Sequence, residues 1–460
     1  MIEVGIFDSG ATDLPFRKTP SGQRVIDGSL ADLHGSAARL QAAQVRRAVL
    51  ADRVGFDYYW LTEHHFGIEG AELSPNPIQV GTAIAALTKR IRIGQLANIV
   101  SFHHPLRLAE QLAILDNLSG GRAEVGLGRG YQGREAETFG YSYGSTVQDQ
   151  EKNRAFHEEA VEIIIKAWTE DSFSYHGQFF SIPPTWTKWN HAQAIAYLEE
   201  GGAGPDVNEV FNIAAADSYS MSGPPITATG TTLRELSVFP QPFQKPHPPL
   251  WSPLNSERTI RWAATEGLNG NFIFESDTAL KPKVDLYMEA TAAAGWPNGG
   301  EFKPGWDSAK HRGISSGRVV HIVDPSLSHS NADLAKESAM FQWDFFKPFG
   351  FTAILAEPGQ TPSMNVNVTP ELLIDQGLLI IGTKDEVVAK LMGLKETAYP
   401  EGDFLTNIWF ESGGVSHEAV EEQIQFFGEE ILPVLRRECG GSPQRADSTV
   451  SLVPDTLAAV

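Results

Sequence analysis

The sequence predicts an α/β protein built around a single (β/α)8 barrel, and three observations lead to this class. Short runs rich in Val, Ile and aromatic residues alternate with longer segments of helical period through the first third of the chain, which is typical of consecutive βα units. Four such units fit into about 130 residues. The pattern resumes after residue 249 without the signal of a second domain. We therefore expect one barrel domain over residues 1–437.

The elements of the first four units follow from residue periodicity and turn signals. Apolar residues recur every three or four positions in the helical segments, and arginines take the opposite face of the first helix. Asn76-Pro77 places a proline at the first position of the second helix. In chain order we expect strands over residues 2–7, 56–61, 91–99 and 122–127, and helices over 37–54, from 77, over 105–117 and over 147–168.

The second half of the chain continues this pattern after an interruption. Residues 181–249 are rich in Gly, Pro, Ser and Trp and lack a period, which indicates an inserted irregular excursion. Residues 438–460 also lack a period, so we expect a loose, extended C-terminal tail. Between these regions we expect strands over residues 249–252, 270–274, 318–323 and 378–381, and a helix over 260–266.

The composition argues against several classes of function. The 460 residues include 36 Lys and Arg against 57 Asp and Glu, a net charge of −21, whereas a nucleic-acid-binding protein needs a basic surface. No run reaches the ~18 apolar residues that span a bilayer. The single Cys439 and an N-terminus without a basic, then apolar, leader predict a cytoplasmic protein.

Histidines stand where two predicted strands end, and barrels of this class carry their active sites at the C-terminal ends of the strands. Glu63-His64-His65 follows the second strand and His103-His104 follows the third. Adjacent side chains of an extended chain point to opposite faces, so we predict no metal site from these pairs. Glu63 is a possible orienting partner for the His64 imidazole, and we expect His64 to have a functional role.

A glycine-rich segment follows the fourth strand. Residues 128–133 match Gly-x-Gly-x-x-Gly, with Asp149 further on, but this segment does not follow the first strand of its unit and Asp149 lies in a helical pattern. A dinucleotide-binding unit is therefore not supported. Arg129 and Arg154 are candidate phosphate ligands, because a guanidinium donates paired hydrogen bonds. Taken alone, Arg154 is better explained as a solvated arginine on a helix.

A second candidate anion site follows the strand predicted at residues 249–252. The turn Asn255-Ser256-Glu257-Arg258-Thr259 opens a helix and places hydroxyls at its N-terminus, where backbone N–H groups attract anions. An ordinary helix cap by Asn255 or Ser256 explains the same residues equally well.

Taken together, these segments resemble the bacterial luciferase-like flavin monooxygenase family. The resemblance covers most of residues 1–180 and 240–435 and is specific through the order and spacing of its motifs. These motifs lie at residues 60–66, 76–77, 92–94, 104–110, 115–122, 126–131, 139–140, 246–251, 262–264 and 381–387.

The resemblance implies a two-component flavin-dependent monooxygenase. Such an enzyme binds reduced FMN (FMNH2) from a separate NAD(P)H-dependent flavin reductase and lets it react with O2, the cosubstrate. The resulting flavin hydroperoxide oxygenates a small organic substrate, and a homodimer would be unsurprising for such a barrel.

The resemblance also implies roles for particular residues. His64 corresponds to the catalytic histidine at the flavin edge, with Glu63 as its orienting carboxylate. Leu96 and Ala97 fall where the family bends its backbone beneath the flavin ring, often through a non-prolyl cis peptide. The phosphate site is expected to comprise Arg129, Tyr131, Arg154, Ser256 and Thr259. An apolar pocket that shields the flavin is expected from Phe7, Trp60, Phe66 and Phe102, although aromatic residues at these spacings are equally typical of a barrel core.

Two alternatives to this function remain open. Hydride transfer with the deazaflavin F420 occurs in other branches of the same superfamily, but its acidic tail favours a basic groove, and only scattered Arg and Lys residues occur near the expected barrel mouth. A flavin-binding protein without catalysis is the second alternative, in which His64 would be dispensable.

Overall fold

The computed structural model describes residues 1–141, 150–187, 200, 211–212, 232–295 and 302–443. The chain divides into two compact units. The first comprises the described parts of Met1–Ile99, Leu115–Gly128 and Pro248–Val460, and the second those of Val100–Ile114 and Arg129–His247. Much of the predicted insertion and residues 444–460 of the predicted tail lie outside the described residues.

Eight parallel strands of the first unit close into a barrel, which confirms the predicted class. They follow one another around the barrel in chain order, and the last pairs with the first through the register Ile2↔Phe404. The strands are β1 (Ile2–Asp8), β2 (Tyr58–Leu61), β3 (Arg92–Gln95), β4 (Ala123–Gly128), β5 (Leu250–Pro253), β6 (Asn269–Phe272), β7 (Arg312–Ile322) and β8 (Phe404–Trp409).

Helices connect most of these strands. In chain order the described α-helices are α1 (Leu30–Val54), α2 (Pro77–Leu87), α3 (Pro105–Ser119), α4 (Gly133–Thr138), α5 (Gln150–Thr169), α6 (Glu257–Thr265), α7 (Asp277–Ala294), α8 (Ala332–Phe346), α9 (Pro370–Asp375), α10 (Lys384–Ala398), α11 (His417–Phe426) and α12 (Leu432–Glu438). None of the described helices combines the length and the apolar character needed to span a membrane.

Local sequence signals explain where several elements begin and where the predictions differ from the structure. Helix α1 begins at Leu30 instead of residue 37, because Ser29 and Asp32 form a reciprocal capping box. The strand predicted at 378–381 is Leu379–Gly382, which pairs with the end of β7 outside the barrel ring. The eighth barrel strand is β8, which the sequence patterns did not reveal.

The second unit contains α4, α5 and several short strands. Helix α5 buries one face, with Trp168 at 1% exposure and its indole Nε1 donating to the Ala109 carbonyl at 3.0 Å. Tyr175–His176 pairs with Ser181–Ile182, and Phe211–Asn212 with Thr232–Leu233, each in antiparallel orientation.

A charged network fills the N-terminal end of the barrel interior. Glu124 is fully buried, and its carboxylate accepts hydrogen bonds from Trp251 Nε1 at 2.6 Å and from the Arg92 guanidinium. His311 Nε2 lies 2.5 Å from Glu124 Oε1. Burial alone would raise the pKa of Glu124, but Arg92 and His311 lower it to about 2. Nearby, Glu3 accepts a hydrogen bond from Trp306 Nε1 at 2.5 Å. We call these six residues the floor network: Glu3, Arg92, Glu124, Trp251, Trp306 and His311.

Candidate functional site

His64 lies just beyond the C-terminal end of β2, where barrels of this class carry their chemistry. It is only 8% exposed, and its Nε2 lies 3.5 Å from Oε2 of Glu72, which is also buried. The His64 backbone N–H donates to the Ser74 carbonyl at 3.0 Å. The imidazole is thus held in a fixed position beside a carboxylate, which can set its tautomer and its basicity.

Glu72 belongs to the loop after β2, and sequence reasoning missed it. It adopts φ +57°, a left-handed conformation that is uncommon for a residue other than glycine. Next to it, the Leu73 N–H donates to the Gly10 carbonyl at 2.7 Å, which ties this loop to the end of β1. No periodicity predicts such a loop path, so the sequence offered no signal for the pair with His64.

Glu63 contacts the backbone after β3 and the side chain of His65, and its predicted role as orienting partner of His64 stays a prediction. Its Oε2 accepts the Ile99 N–H at 2.6 Å, and its Oε1 lies 3.3 Å from His65 Nε2. The carboxylate is 2% exposed, so these contacts are made away from bulk water. Glu63 therefore holds the backbone that follows β3, while Glu72 faces His64.

The chain bends between Leu96 and Ala97 through a non-prolyl cis peptide, as the family resemblance implies. The short strand Asn98–Ile99 follows and pairs with the end of β4. A Cβ on Gly126 would lie 1.8 Å from the Gln95 carbonyl oxygen, so only glycine lets β4 approach this bend. The bend places the apolar side chains of Leu96 and Ala97 at the C-terminal end of β3.

Ser256 and Thr259 lie at the N-terminus of α6. Ser256 is the N-cap, and its Oγ accepts the Thr259 N–H at 3.3 Å and lies 2.9 Å from Thr259 Oγ1. Ser256 is exposed whereas Thr259 is buried. The capping interpretation therefore holds in this structure, and phosphate binding by the same exposed hydroxyl stays a prediction.

Three residues of the predicted phosphate site belong to the second unit. Arg129 Nη1 donates to Gln150 Oε1 at 3.4 Å, and Arg154 lies one turn after Gln150, on the same face of α5. The Nε of Arg154 is buried without a hydrogen-bond partner in the described part of the chain. Tyr131 OH accepts from Gln132 Nε2 at 3.3 Å. Arg129 thus contacts α5 one helical turn before Arg154.

The predicted pocket aromatics occupy different environments. Phe7 lies at the C-terminal end of the barrel interior, with its ring centroid 5.2 Å from that of Trp409. Trp60 is fully buried in the barrel and packs edge-on against Trp251 at 5.0 Å, as expected for core packing. Phe66 is 50% exposed on the loop after β2. Phe102 belongs to the second unit. The role of these four aromatic residues in a substrate pocket stays a prediction.

A second buried charge network, also missed by sequence reasoning, lies where β1 ends. Asp8 Oδ2 accepts from Arg47 Nη1 at 3.0 Å and from Tyr59 OH at 2.5 Å. Glu411 accepts the Ser9 N–H at 2.7 Å, and burial together with the nearby Asp8 raises the pKa of Glu411 to about 7. This network fixes the turn after β1 against the segment after β8. Among the described residues, no three His, Cys, Asp or Glu side chains are grouped so as to hold a metal ion.

Parts of this chain are similar in sequence to a known protein family and to a protein of Sinorhizobium fredii. The profile of a family described as luciferase-like monooxygenase matches residues 29–205. An uncharacterized protein of Sinorhizobium fredii is 32% identical over 239 residues, which are 52% of this chain and 52% of that protein. The chain thus matches about half the length of this relative.

Two solved structures share the fold over most of the chain. The oxygenating constituent of 3,6-diketocamphane monooxygenase from Pseudomonas putida, a type II Baeyer-Villiger monooxygenase in complex with FMN, aligns with a TM-score of 0.62 and 19% identity, covering 94% of this chain and 98% of that one. An F420-dependent secondary alcohol dehydrogenase in complex with an F420-acetone adduct aligns with a TM-score of 0.56 and 15% identity, covering 94% and 99%. At these identities the likeness establishes the fold.

Proposed function

We propose, from the premise that this chain belongs to the luciferase-like monooxygenase family, that it is the oxygenating component of a two-component flavin monooxygenase. It would use FMNH2 and O2 to oxygenate a small organic substrate. The observation that carries the proposal is the buried His64–Glu72 pair beside the apolar Leu96–Ala97 segment, at the C-terminal ends of adjacent strands β2 and β3.

The residues present fit a flavin at this end of the barrel. A flavin ring needs a flat, apolar surface and one or two placed polar groups at its edge. Leu96 and Ala97 are 4% and 5% exposed and supply the apolar surface. The Glu63 carboxylate holds the adjoining Ile99 amide, so this surface is fixed to the strand that carries His64.

When bound, reduced FMN supplies two electrons to O2. The chain's own residues would then bind, shield and handle protons. A carboxylate 3.5 Å from Nε2 of His64 favours the tautomer that is protonated at Nε2, so His64 would accept or return a proton at its other ring nitrogen, Nδ1. Residues that bury the site would exclude water, which protects a reactive species from hydrolysis and raises the strength of local electrostatic interactions.

FMN is favoured over F420 by the charge of this chain. The acidic tail of F420 calls for a basic groove, whereas this chain carries a net charge of −21. The similar Baeyer-Villiger enzyme is described in complex with FMN, and the similar alcohol dehydrogenase carries F420. The separate flavin reductase, the small-molecule substrate and a homodimer belong to the same proposal.

Anaerobic titration of the full chain tests this function. FMNH2, oxidised FMN and reduced F420 are added separately while the absorbance or fluorescence of each cofactor is followed. We expect FMNH2 to bind most tightly and the bound flavin, on mixing with O2, to reoxidise more slowly than free FMNH2. Tight binding of reduced F420 with weak binding of FMNH2 would instead assign the chain to the hydride-transfer branch.

A further inference from the structure

Glu411 follows strand β8, and its carboxylate binds the backbone of the turn after β1. The residue is 4% exposed, with Oε1 accepting the Ser9 N–H at 2.7 Å and Oε2 accepting the Ala11 N–H at 3.1 Å. The Gly10 N–H, which also donates to Asp8, donates to Oε1 at 3.2 Å. One carboxylate thus binds three successive backbone N–H groups, and a charged acceptor makes such hydrogen bonds strong.

The same turn is also bonded to the loop after β2. The Gly10 carbonyl accepts the Leu73 N–H at 2.7 Å, and the Thr12 N–H donates to the Gly70 carbonyl at 2.8 Å. These two hydrogen bonds fix the loop at two points that are three residues apart. The backbone of residues 9–12 therefore connects the Glu411 carboxylate to residues 70–73 through hydrogen bonds on both sides.

Glu72 lies between these two fixed points of the loop. Its backbone adopts φ +57°, a conformation that a residue other than glycine keeps only where neighbouring contacts hold it. The hydrogen bonds of Gly70 and Leu73 to the turn after β1 are contacts of this kind. In this conformation the Glu72 carboxylate lies 3.5 Å from His64 Nε2, and both side chains are buried.

We propose that Glu411 is a positioning residue for the His64–Glu72 pair and acts on it through the backbone of residues 9–12. The inference rests on the proposed function, because the pair serves oxygenation only if His64 handles protons there. With the turn held by Glu411, Glu72 favours the His64 tautomer protonated at Nε2 and leaves Nδ1 to accept a proton. Loss of the Glu411 carboxylate would loosen the turn, let residues 70–73 move and weaken this preference.

NMR of the His64 ring nitrogens in the flavin-free full chain tests the positioning. The histidine rings are labelled with 15N, and the His64 signals are assigned by their absence in His64→Ala. The measurement is made at pH 8.5, where an ordinary imidazole is neutral and which lies above the pKa of about 7 that burial and the nearby Asp8 give to Glu411. We expect Glu411→Gln to lower the ratio of the Nε2-protonated to the Nδ1-protonated form about fivefold.

Two further variants make this result specific. Glu411→Asp keeps the charge but is one methylene shorter, so it should change the His64 signals in the same direction, and it decides the question if Glu411→Gln does not fold. Asp307→Asn is the matched control, because Asp307 is also buried and accepts three backbone N–H groups at 3.0–3.1 Å, at the N-terminal end of β7. Unchanged His64 signals in the Glu411 variants, or the same change in Asp307→Asn, would overturn the proposal.

A double-mutant cycle tests whether Glu411 acts through Glu72. Glu411→Gln should lower kcat of FMNH2-dependent oxygenation about tenfold and change the Kd for FMNH2 by no more than about twofold. In the Glu72→Gln background the same substitution should lower kcat by about twofold or less, because the group that Glu411 positions is already lost. Equal tenfold losses in both backgrounds would contradict the proposal.

The NMR samples contain no flavin, so their outcome is separate from that of the FMNH2 titration. A changed His64 tautomer ratio in Glu411→Gln, in a chain that does not bind FMNH2, would support the positioning and refute the proposed function. An unchanged ratio in a chain that binds FMNH2 would refute the positioning alone.

Discussion

The two ends of the barrel interior solve the problem of buried polar groups in opposite ways. At the N-terminal end, the floor network pairs the Glu124 carboxylate with Arg92, His311 and Trp251. At the C-terminal end, the side-chain oxygens of Asn271 and Asn407 have no hydrogen-bond partner among the described residues, and His64 lies 3.5 Å from Glu72. The difference indicates that the N-terminal end serves stability, whereas the C-terminal end keeps binding capacity for a ligand.

The largest expected effect concerns catalysis at the C-terminal end. We expect His64→Ala to lower FMNH2-dependent oxygenation about a hundredfold or more, since it removes a group placed for proton transfer. The free energy of unfolding should change by about 1 kcal/mol or less. Steady-state turnover and urea denaturation measure the two quantities.

His65→Ala is the neighbouring control for this variant. His65 contacts Glu63 at 3.3 Å, so its loss should reduce turnover much less than the loss of His64. Full turnover in His64→Ala would show that His64 is dispensable and would contradict a catalytic role for it.

The second effect concerns stability at the N-terminal end. Glu124→Gln should lower the free energy of unfolding at pH 7 by roughly 3 kcal/mol, because the pKa of Glu124 falls from its ordinary 4.5 to about 2 in the folded protein. FMNH2 affinity of the folded variant should be unchanged. Urea denaturation and anaerobic titration check the two statements.

The stability that Glu124 contributes depends on pH with a definite sign. A carboxyl whose folded pKa is lowered contributes stability that is complete above its unfolded pKa and is lost as the pH falls through its folded pKa. The difference between wild type and Glu124→Gln should therefore shrink between about pH 4.5 and pH 2. A difference that stays constant over this window would contradict the ionised floor network.

A third effect tests the anchoring of the bend after β3. Glu63→Ala removes the acceptor of the Ile99 N–H, and we expect FMNH2 to bind about tenfold more weakly. Glu63→Gln retains an acceptor oxygen and should recover most of the affinity. Unchanged FMNH2 affinity in Glu63→Ala would remove this residue from the site.

The smallest expected effect distinguishes between two roles of Ser256, helix capping and phosphate binding. Ser256→Ala should cost about 1 kcal/mol of unfolding free energy, as should Ser416→Ala, because both serines are exposed N-caps with the same 3.2–3.3 Å capping geometry. Only Ser256→Ala should also weaken FMNH2 binding, by a few-fold. Equal FMNH2 affinity in both variants would assign Ser256 to capping alone.

How far the sequence predicts this molecule depends on how local the signal is. The strand at residues 2–7, the helix opened by Asn76-Pro77 and the strand before Gly128 follow from periodicity and capping, and all three are present in the structure. Strand β8 was missed because Thr406 and Asn407 interrupt its apolar run. Their burial depends on partners on β7 that lie about 90 residues away in the chain.

The candidate functional site was also predicted only where its signals are local in the sequence. His64 and the bend at Leu96–Ala97 were predicted from motifs that lie within a few residues. Glu72 was missed because its contact with His64 depends on how the loop after β2 folds back on itself. Sequence proximity pointed to Glu63 as the partner of His64, and that role of Glu63 stays a prediction.

Hydrogen–deuterium exchange with and without FMNH2, under anaerobic conditions, tests most directly whether the C-terminal end of the barrel is the functional end. We predict slower exchange of backbone amides over residues 62–74 and 96–99 when FMNH2 is bound, and unchanged exchange over residues 306–313 beside the floor network. Slower exchange only near the floor network, or no change at saturating FMNH2, would contradict this assignment.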